Sequence, residues 1–263
     1  MISLRPYSKK YYIDKSKRLK ILTLPCLSDN YTFLILSPDK KEAFLVDCSD
    51  HKKVLQTLGD LGLSLKGILL THHHFDHVDG LDVILKEHPT AEFYFTKTDQ
   101  DRRVFESRGR WVNEADNIDV FGEKVKVFFT PGHTTSHVSY YLPKSDALFC
   151  GDLIFSLGCG RVFEPYDNVY EDFFESLQKI KSLTSNETLI FCAHEYTKKN
   201  LEFHASLGIN LEQTLKELKE RCESLNSERS IPTTMGFEKK HNAFLSAKSP
   251  DSFKNARKLK DQF

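Results

Sequence analysis

The segment 71–77 (THHHFDH) constrains this chain more than any other part of its sequence, because it places four histidines and an aspartate within six positions. It follows the short apolar run 66–70 (KGILL), which predicts a buried strand. Five partly desolvated titratable groups would repel one another or lack partners unless they bound a metal ion. The alternative is a solvated histidine-rich loop, but the density of ligand groups favours a site for zinc, iron or manganese.

Three further residues of ligand type follow predicted strands elsewhere in the chain. His133 lies in TPGHT after the run KVKVFFT, Asp152 follows ALFCG, and His194 ends TLIFCAH. Sheets of α/β proteins display functional groups at such strand ends. Each residue is weak evidence alone, but the three together with the histidine cluster indicate one metal-binding constellation.

The body of the chain alternates between strand and helix patterns. The apolar, β-rich runs predict strands at 18–25, 31–37, 42–48, 66–71, 91–96, 124–130, 139–143, 147–152 and 188–194. The turn-like Ser28-Asp29-Asn30 separates the first two. Helical spacing of apolar residues predicts helices at 51–63, 81–88 and 173–180. This alternation predicts an α/β architecture in which helices cover the outer faces of sheets.

The pattern changes near residue 197, after which no strand is predicted. The run 211–225 is helical, and Ser249 followed by Pro250 predicts the start of a last helix. We therefore expect a catalytic domain at 19–196 and a helical, substrate-binding domain at 197–263. Residues 1–18 hold six basic residues and one acid without an apolar stretch, so we expect a solvated basic extension, with a targeting segment as the alternative.

Charge and cysteine content narrow the classes of partner and compartment. The 37 basic residues balance the 37 acidic ones, which argues against a nucleic-acid partner. No apolar run reaches the ~18 residues of a membrane span, so no membrane partner is expected. The six cysteines form no C-x-x-C pair and predict free thiols in a reducing compartment. We expect a cytoplasmic monomer that acts on a small molecule, with mitochondrial or other organellar targeting as the alternative.

Taken together, THHHFDH, TPGHT, Gly151-Asp152 and AHEYT resemble the motifs of the metallo-β-lactamase superfamily, and within it those of the glyoxalase II (hydroxyacylglutathione hydrolase) family. The resemblance extends over about residues 19–263. It implies a four-layer αββα sandwich with a C-terminal helical domain and a site for two metal ions between the sheets. Zinc is the expected metal, with iron or manganese as alternatives.

The resemblance also implies a role for each ligand. The first metal would be held by His72, His74 and His133, and the second by Asp76, His77 and His194. Asp152 would bridge the two ions, and Asp76 and Asp152 would act in catalysis together with a metal-bound hydroxide. His73 stands at a variable position of the motif and is left out. Asp47 is either a partner of a ligand histidine or a strand-end cap.

The activity implied by the resemblance is hydrolysis of S-(2-hydroxyacyl)glutathione thioesters, such as S-D-lactoylglutathione, to glutathione and D-lactate in methylglyoxal detoxification. The alternative within the superfamily is a mononuclear iron persulfide dioxygenase. The sequence His194-Glu195-Tyr196-Thr197 and the helical C-terminal region favour the hydrolase. A catalytically silent binding module is disfavoured, because all seven ligand positions are filled.

The resemblance further implies the substrate-binding residues Arg161, Phe163, Tyr196, Arg257 and Lys260. Arginine can bind the glycine carboxylate of glutathione bidentately, and Arg257 and Lys260 share one helix face. A solvated cationic helix end is the alternative for that pair. Phe163 replaces a tyrosine of some members, and 164–166 and 242–244 also depart from the family pattern, which leaves the fine substrate preference open.

Overall fold

The computed structural model describes residues 10–96, 109–225 and 229–263 and contains two large β-sheets. The first sheet has seven strands that lie side by side in chain order, antiparallel from β1 to β4 and parallel from β4 to β7. Its strands are β1 (Tyr12–Lys15), β2 (Lys20–Cys26), β3 (Asn30–Leu36), β4 (Glu42–Val46), β5 (Ser64–Leu69), β6 (Glu92–Phe95) and β7 (Gly109–Trp111).

The second sheet is formed by six strands from the later part of the chain. They are β8 (Asn117–Val120), β9 (Glu123–Phe129), β10 (Val138–Leu142), β11 (Ala147–Gly151), β14 (Leu189–Cys192) and β15 (Thr233–Thr234). Their order is β15-β14-β11-β10-β9-β8, and only β11 and β14 pair in parallel. A small hairpin separates β11 from β14 in sequence and consists of β12 (Ile154–Phe155) and β13 (Gly158–Cys159).

Eight helices are described. They are α1 (His51–Leu61), α2 (Phe75–Val78), α3 (Leu81–Glu87), α4 (Val169–Leu183), α5 (Thr197–Ser206), α6 (Glu212–Ser224), α7 (Met235–His241) and α8 (Pro250–Gln262). Among the described residues, no helix is long and apolar enough to cross a membrane. Ser249 caps α8 in a capping box with Ser252, and Pro250 is its first residue, as predicted from the sequence.

The two sheets pack face to face through apolar side chains. On β3, Phe33 points toward the second sheet, where its ring lies 5.4 Å from that of Phe149 and 5.5 Å from that of Phe191. The neighbouring Leu34 faces the other way, into a cluster that includes Val54 of α1. Because successive side chains of a strand point to opposite faces, β3 is buried on both sides. Helix α4 packs on the second sheet, so the predicted four-layer αββα sandwich is confirmed.

Two expectations about the ends of the chain were wrong. Residues 12–15 are not a solvated tail but strand β1, which pairs antiparallel with β2. Asp14 is buried there and forms an ion pair with Arg229. No local sequence pattern could predict this contact. Residues 1–9 lie outside the described part of the chain. The expectation of no strand after residue 197 also fails, because β15 adds two residues to the edge of the second sheet.

Candidate metal centre

The seven predicted ligands all lie at one edge of the sandwich, because of the direction in which their strands run. His72 and its neighbours follow β5, which is parallel to β4. Strands β9, β11 and β14 run in a common direction in the second sheet, so His133, Asp152 and His194 leave it at the same edge. At the first of these turns Gly132 has φ +137°, and a side chain there would collide with Phe173.

Three histidines form the first ligand group. Nδ1 of His74 lies 3.1 Å from Nε2 of His72 and 3.0 Å from Nε2 of His133. Each nitrogen lies within 4.8 Å of the other two, which is close enough for one ion to contact all three. This group is the one that the family resemblance assigns to the first metal.

The second ligand group consists of Asp76, His77 and His194. Oδ2 of Asp76 lies 3.3 Å from Nε2 of His194 and 3.7 Å from Nε2 of His77. The group therefore offers one carboxylate and two imidazoles to a single cation.

Asp152 lies between the two groups and turns one oxygen toward each. Its Oδ2 is 3.3 Å from Nε2 of His133, while its Oδ1 is 3.5 Å from Nε2 of both His77 and His194. A carboxylate in this position can share its two oxygens between two ions.

An observation that is independent of any sequence motif indicates that these histidines and aspartates bind divalent metal ions. Nε2 of His77 and Oδ1 of Asp152 are buried and have no hydrogen-bond partner in the described part of the chain. Buried polar atoms are almost always paired, so two such atoms 3.5 Å apart indicate a ligand between them. The chain thus has a divalent metal site.

Burial sets the protonation state of the first group. It lowers the pKa of His72 and of His74, and lowers that of His133 to about 4. Neutral imidazole is the form that binds a metal, so this group is ready for one at neutral pH. Burial would raise the pKa of Asp76 and Asp152, but contacts with His194 and His77 outweigh it and hold both pKa values well below the ordinary range.

Hydrogen bonds on the far side of the rings orient several ligands. Nδ1 of His77 lies 2.8 Å from Oδ2 of Asp47, which also accepts a hydrogen bond from the hydroxyl of Thr71. The first of the two interpretations of Asp47, a partner of a ligand histidine, is therefore correct. Nδ1 of His133 donates to the carbonyl oxygen of Arg161 at 2.8 Å, which ties this ligand to the predicted substrate-binding loop.

A cleft of about 580 Å³ opens beside the predicted metal ligands His133 and Asp152. Its walls include all five residues that were predicted to bind substrate, namely Arg161, Phe163, Tyr196, Arg257 and Lys260. The ring of Phe163 lies 5.0 Å from that of His74, and the ring of Tyr196 stacks on that of His194 at 4.7 Å. The cleft therefore joins the metal ligands to residues of the C-terminal helices.

Comparison with known proteins agrees with this layout. The family model for the metallo-beta-lactamase superfamily matches residues 27–194, and that for the hydroxyacylglutathione hydrolase C-terminus matches residues 195–263. The hydroxyacylglutathione hydrolase of Pelagibacter ubique (strain HTCC1062) is 37% identical over 255 residues, which cover 93% of this chain and 100% of that protein. The hydroxyacylglutathione hydrolase of Acaryochloris marina (strain MBIC 11017) is 34% identical over 267 residues, with the same coverage.

This chain belongs to the hydroxyacylglutathione hydrolase family. Solved structures show the wider fold. The BLEG-1 B3 metallo-beta-lactamase matches with a TM-score of 0.64 and 21% identity, over 86% of this chain and 100% of that one. ETHE1 from Myxococcus xanthus matches with a TM-score of 0.64 and 22% identity, over 94% of this chain and 89% of that one. At such low identity these two structures establish the fold alone.

The two basic residues that resemble the family's pair on α8 lie in different environments. Arg257 is only 2% exposed, and its guanidinium donates to the carbonyl oxygen of Cys159 at 3.1 Å and to Asp261 at 2.9 Å. The alternative of a solvated helix end is therefore wrong for Arg257. Lys260 is partly buried, and burial followed by the charge of Arg257 lowers its pKa to about 8. Arg161 is mostly exposed at the cleft mouth.

Two further histidines lie beside the site, and no sequence motif predicts their contacts. His137 is fully buried, lies 2.9 Å from the hydroxyl of Thr130, and accepts a hydrogen bond from the backbone N–H of Asp152 through Nε2 at 3.2 Å. It therefore supports the backbone of Asp152 from behind. His73 belongs to neither ligand group, and its Nε2 instead lies 3.2 Å from Oε1 of Glu164.

Proposed function

We propose that this chain hydrolyses S-(2-hydroxyacyl)glutathione thioesters, such as S-D-lactoylglutathione, to glutathione and the 2-hydroxy acid, and so serves in methylglyoxal detoxification. One observation carries the proposal. Asp152 turns one oxygen toward each of two ligand groups on the floor of a cleft that is bordered by Lys260 of α8. Family membership supports the same activity.

Two divalent ions, with zinc as the preferred metal and iron or manganese as alternatives, would occupy the site. His72, His74 and His133 would hold one ion, Asp76, His77 and His194 the other, and Asp152 both. Bound there, such ions lower the pKa of water toward ~7 and withdraw electrons from an acyl carbonyl.

The chain's own residues have separate tasks in this proposal. Asp152 keeps the two ligand groups at one spacing. Contacts with His194 and His77 keep Asp76 ionised, and it remains partly exposed, so it would bind the second ion and accept a hydrogen bond from the attacking water. The leaving thiolate is a weak base, since an ordinary thiol has a pKa of about 8.5, so it can depart without a dedicated general acid.

Charge complementarity supports glutathione as the recognised group. Arg161 and Lys260 line the cleft and would bind a carboxylate of the peptide. Arg257 lines the same cleft, but its contacts with Cys159 and Asp261 also hold the hairpin formed by β12 and β13. Phe163 and Tyr196 lie against metal-ligand histidines and would flank the thioester.

The quaternary state, compartment and domain division belong to the same proposal. A monomer is the proposed quaternary state, and light scattering of the purified protein tests this. All six cysteines are unpaired and buried, which supports a reducing compartment such as the cytoplasm. We retain 19–196 as the catalytic part and 197–263 as the substrate-binding part, although β1 extends the first sheet and β15 extends the second.

The deciding experiment measures the metal content of the purified protein and thiol release from S-D-lactoylglutathione without oxygen. We expect about two metal ions per chain and thiol release that does not depend on oxygen. One iron per chain, no thiol release and oxygen uptake on addition of glutathione persulfide would replace the hydrolase with a persulfide dioxygenase.

A further inference from the structure

The end of the connection between β2 and β3, together with the first residues of β3, lies against the second ligand group. The sequence marks Ser28-Asp29-Asn30 only as a turn, and none of the motifs includes it. In the fold, Asp29, Asn30 and Tyr31 lie against the segment 193–195, which contains the ligand His194.

Backbone hydrogen bonds hold this segment to the turn along its whole length. The N–H of Tyr31 donates to the carbonyl oxygen of Ala193 at 2.6 Å, and the N–H of Glu195 donates to that of Asp29 at 2.9 Å. Asn30 and His194 form a β-bridge between these two bonds. These contacts therefore fix the backbone of His194 in space relative to residues 29–31.

The side chains of the turn then orient the ligands themselves. Oδ1 of Asp29 accepts a hydrogen bond from Nδ1 of His194 at 2.8 Å, which leaves Nε2 of that ring toward the metal site. The amide of Asn30 donates to Oδ2 of Asp76 at 2.8 Å. Two consecutive residues thus hold two of the three ligands in the second group.

Tyr31 completes the arrangement one residue further on. Its hydroxyl donates to Oε2 of Glu195 at 3.0 Å. The same carboxylate accepts hydrogen bonds from the backbone N–H and the hydroxyl of Ser230, at 2.9 and 2.6 Å. Glu195 is thereby fixed from both sides, between the ligand His194 and the cleft residue Tyr196.

The first ligand group is supported by other parts of the chain. Nδ1 of His72 lies 3.0 Å from the hydroxyl of Thr71, and Nδ1 of His133 donates to the carbonyl of Arg161. Within residues 10–96, 109–225 and 229–263, the side chains of Asp29 and Asn30 contact metal ligands of the second group alone.

We propose that Asp29 and Asn30 are positioning residues that set the metal affinity of the second site independently of the first. Partners behind metal ligands fix ring and carboxylate orientation, and their loss typically lowers metal affinity about 10- to 100-fold. The proposal rests on the proposed two-metal site, because it requires the two ions to be released separately.

The test uses the zinc-loaded full-length chain and a chelator at increasing concentration, with zinc per chain as the measured quantity. Asp29→Ala and Asn30→Ala should each release one zinc at a free-zinc concentration about 10- to 100-fold higher than in the unmodified chain. The other zinc should leave as before. Asp29→Asn keeps an oxygen that can accept from His194 without the charge, so its affinity should be intermediate.

Asp39→Ala is the matched control, since Asp39 also lies in a turn between strands but contacts Ser37 and Lys41 rather than a ligand. It should release both zinc ions as the unmodified chain does. The cobalt-loaded forms give a second readout, because the absorption of only one of the two cobalt ions should change in Asp29→Asn.

The proposal is overturned if Asp29→Asn and Asn30→Ala fold normally but release both ions as the unmodified chain does, or if both sites weaken equally. A single zinc in the unmodified chain would instead refute the two-metal site, and with it this assignment. The two failures differ because the first leaves two zinc ions on the unmodified chain.

Discussion

Replacing Arg229 by methionine should destabilise the protein, because it breaks a buried ion pair between the two ends of the chain. The guanidinium lies 3.0 Å and 2.5 Å from the two carboxylate oxygens of Asp14. The side chains are only 1% and 3% exposed, and the guanidinium carbon lies 4.3 Å from the ring centre of Tyr12.

The magnitude follows from what methionine leaves behind. Removing one partner of a buried pair costs about 3–5 kcal/mol, since the other charge stays in the protein interior. Asp14 would keep one hydrogen bond, from the hydroxyl of Thr23 at 2.7 Å. We therefore expect the free energy of unfolding to fall by about 3 kcal/mol, the lower end of that range.

Urea unfolding of the zinc-loaded protein, followed by circular dichroism, measures this loss. Lys15→Met is the matched control, because Lys15 lies exposed on the same strand, and it should change the unfolding free energy by less than about 0.5 kcal/mol. The double variant Asp14→Leu/Arg229→Met removes both charges and should recover most of the loss. A loss below about 1 kcal/mol in Arg229→Met, or a double variant no more stable than the single one, would refute the reasoning.

Three further predictions concern the site. Asp152→Ala should lower metal content and thiol release together, and full metal content in that variant would contradict a bridging role. Lys260→Ala should raise KM about 5- to 30-fold with little change in kcat, which corresponds to about 1–2 kcal/mol for a half-buried charged contact. Because burial lowers the pKa of Lys260 to about 8, KM should also rise as the pH passes 8 and the amine loses its proton. Lys260→Arg should show no such rise. An unchanged KM in Lys260→Ala would refute this assignment. The carboxylate of Glu164 accepts from the N–H and hydroxyl of Thr135 at 2.8 and 2.9 Å, and glutamine keeps an oxygen that can accept both, so Glu164→Gln should leave metal content and KM close to those of the unmodified chain; loss of metal would show a different role.

Much of the fold could be predicted because its signals are local. The helix start at Ser249 and Pro250 depends on a cap within one turn, and the structure has it as predicted. The buried strands of the central sheets are continuous apolar runs that need no knowledge of their partners. Strands β1 and β15 were not predicted, because each is short and exists through pairing with a neighbour distant in sequence.

The sequence by itself indicated a cluster of candidate metal ligands, because ligand chemistry is a property of residue type, and the resemblance to a known family then implied seven of them. The tertiary structure gives the geometry of these residues, in which the two oxygens of Asp152 face different ligand groups. It also decided that Arg257 is buried and that Asp29 and Asn30 hold second-group ligands. Asn30 and Asp76 are 46 positions apart in the sequence, and Asp29 and His194 are 165 apart. Arg257 and Cys159 are 98 positions apart. No local pattern carries such information, because these groups become neighbours only in the folded chain.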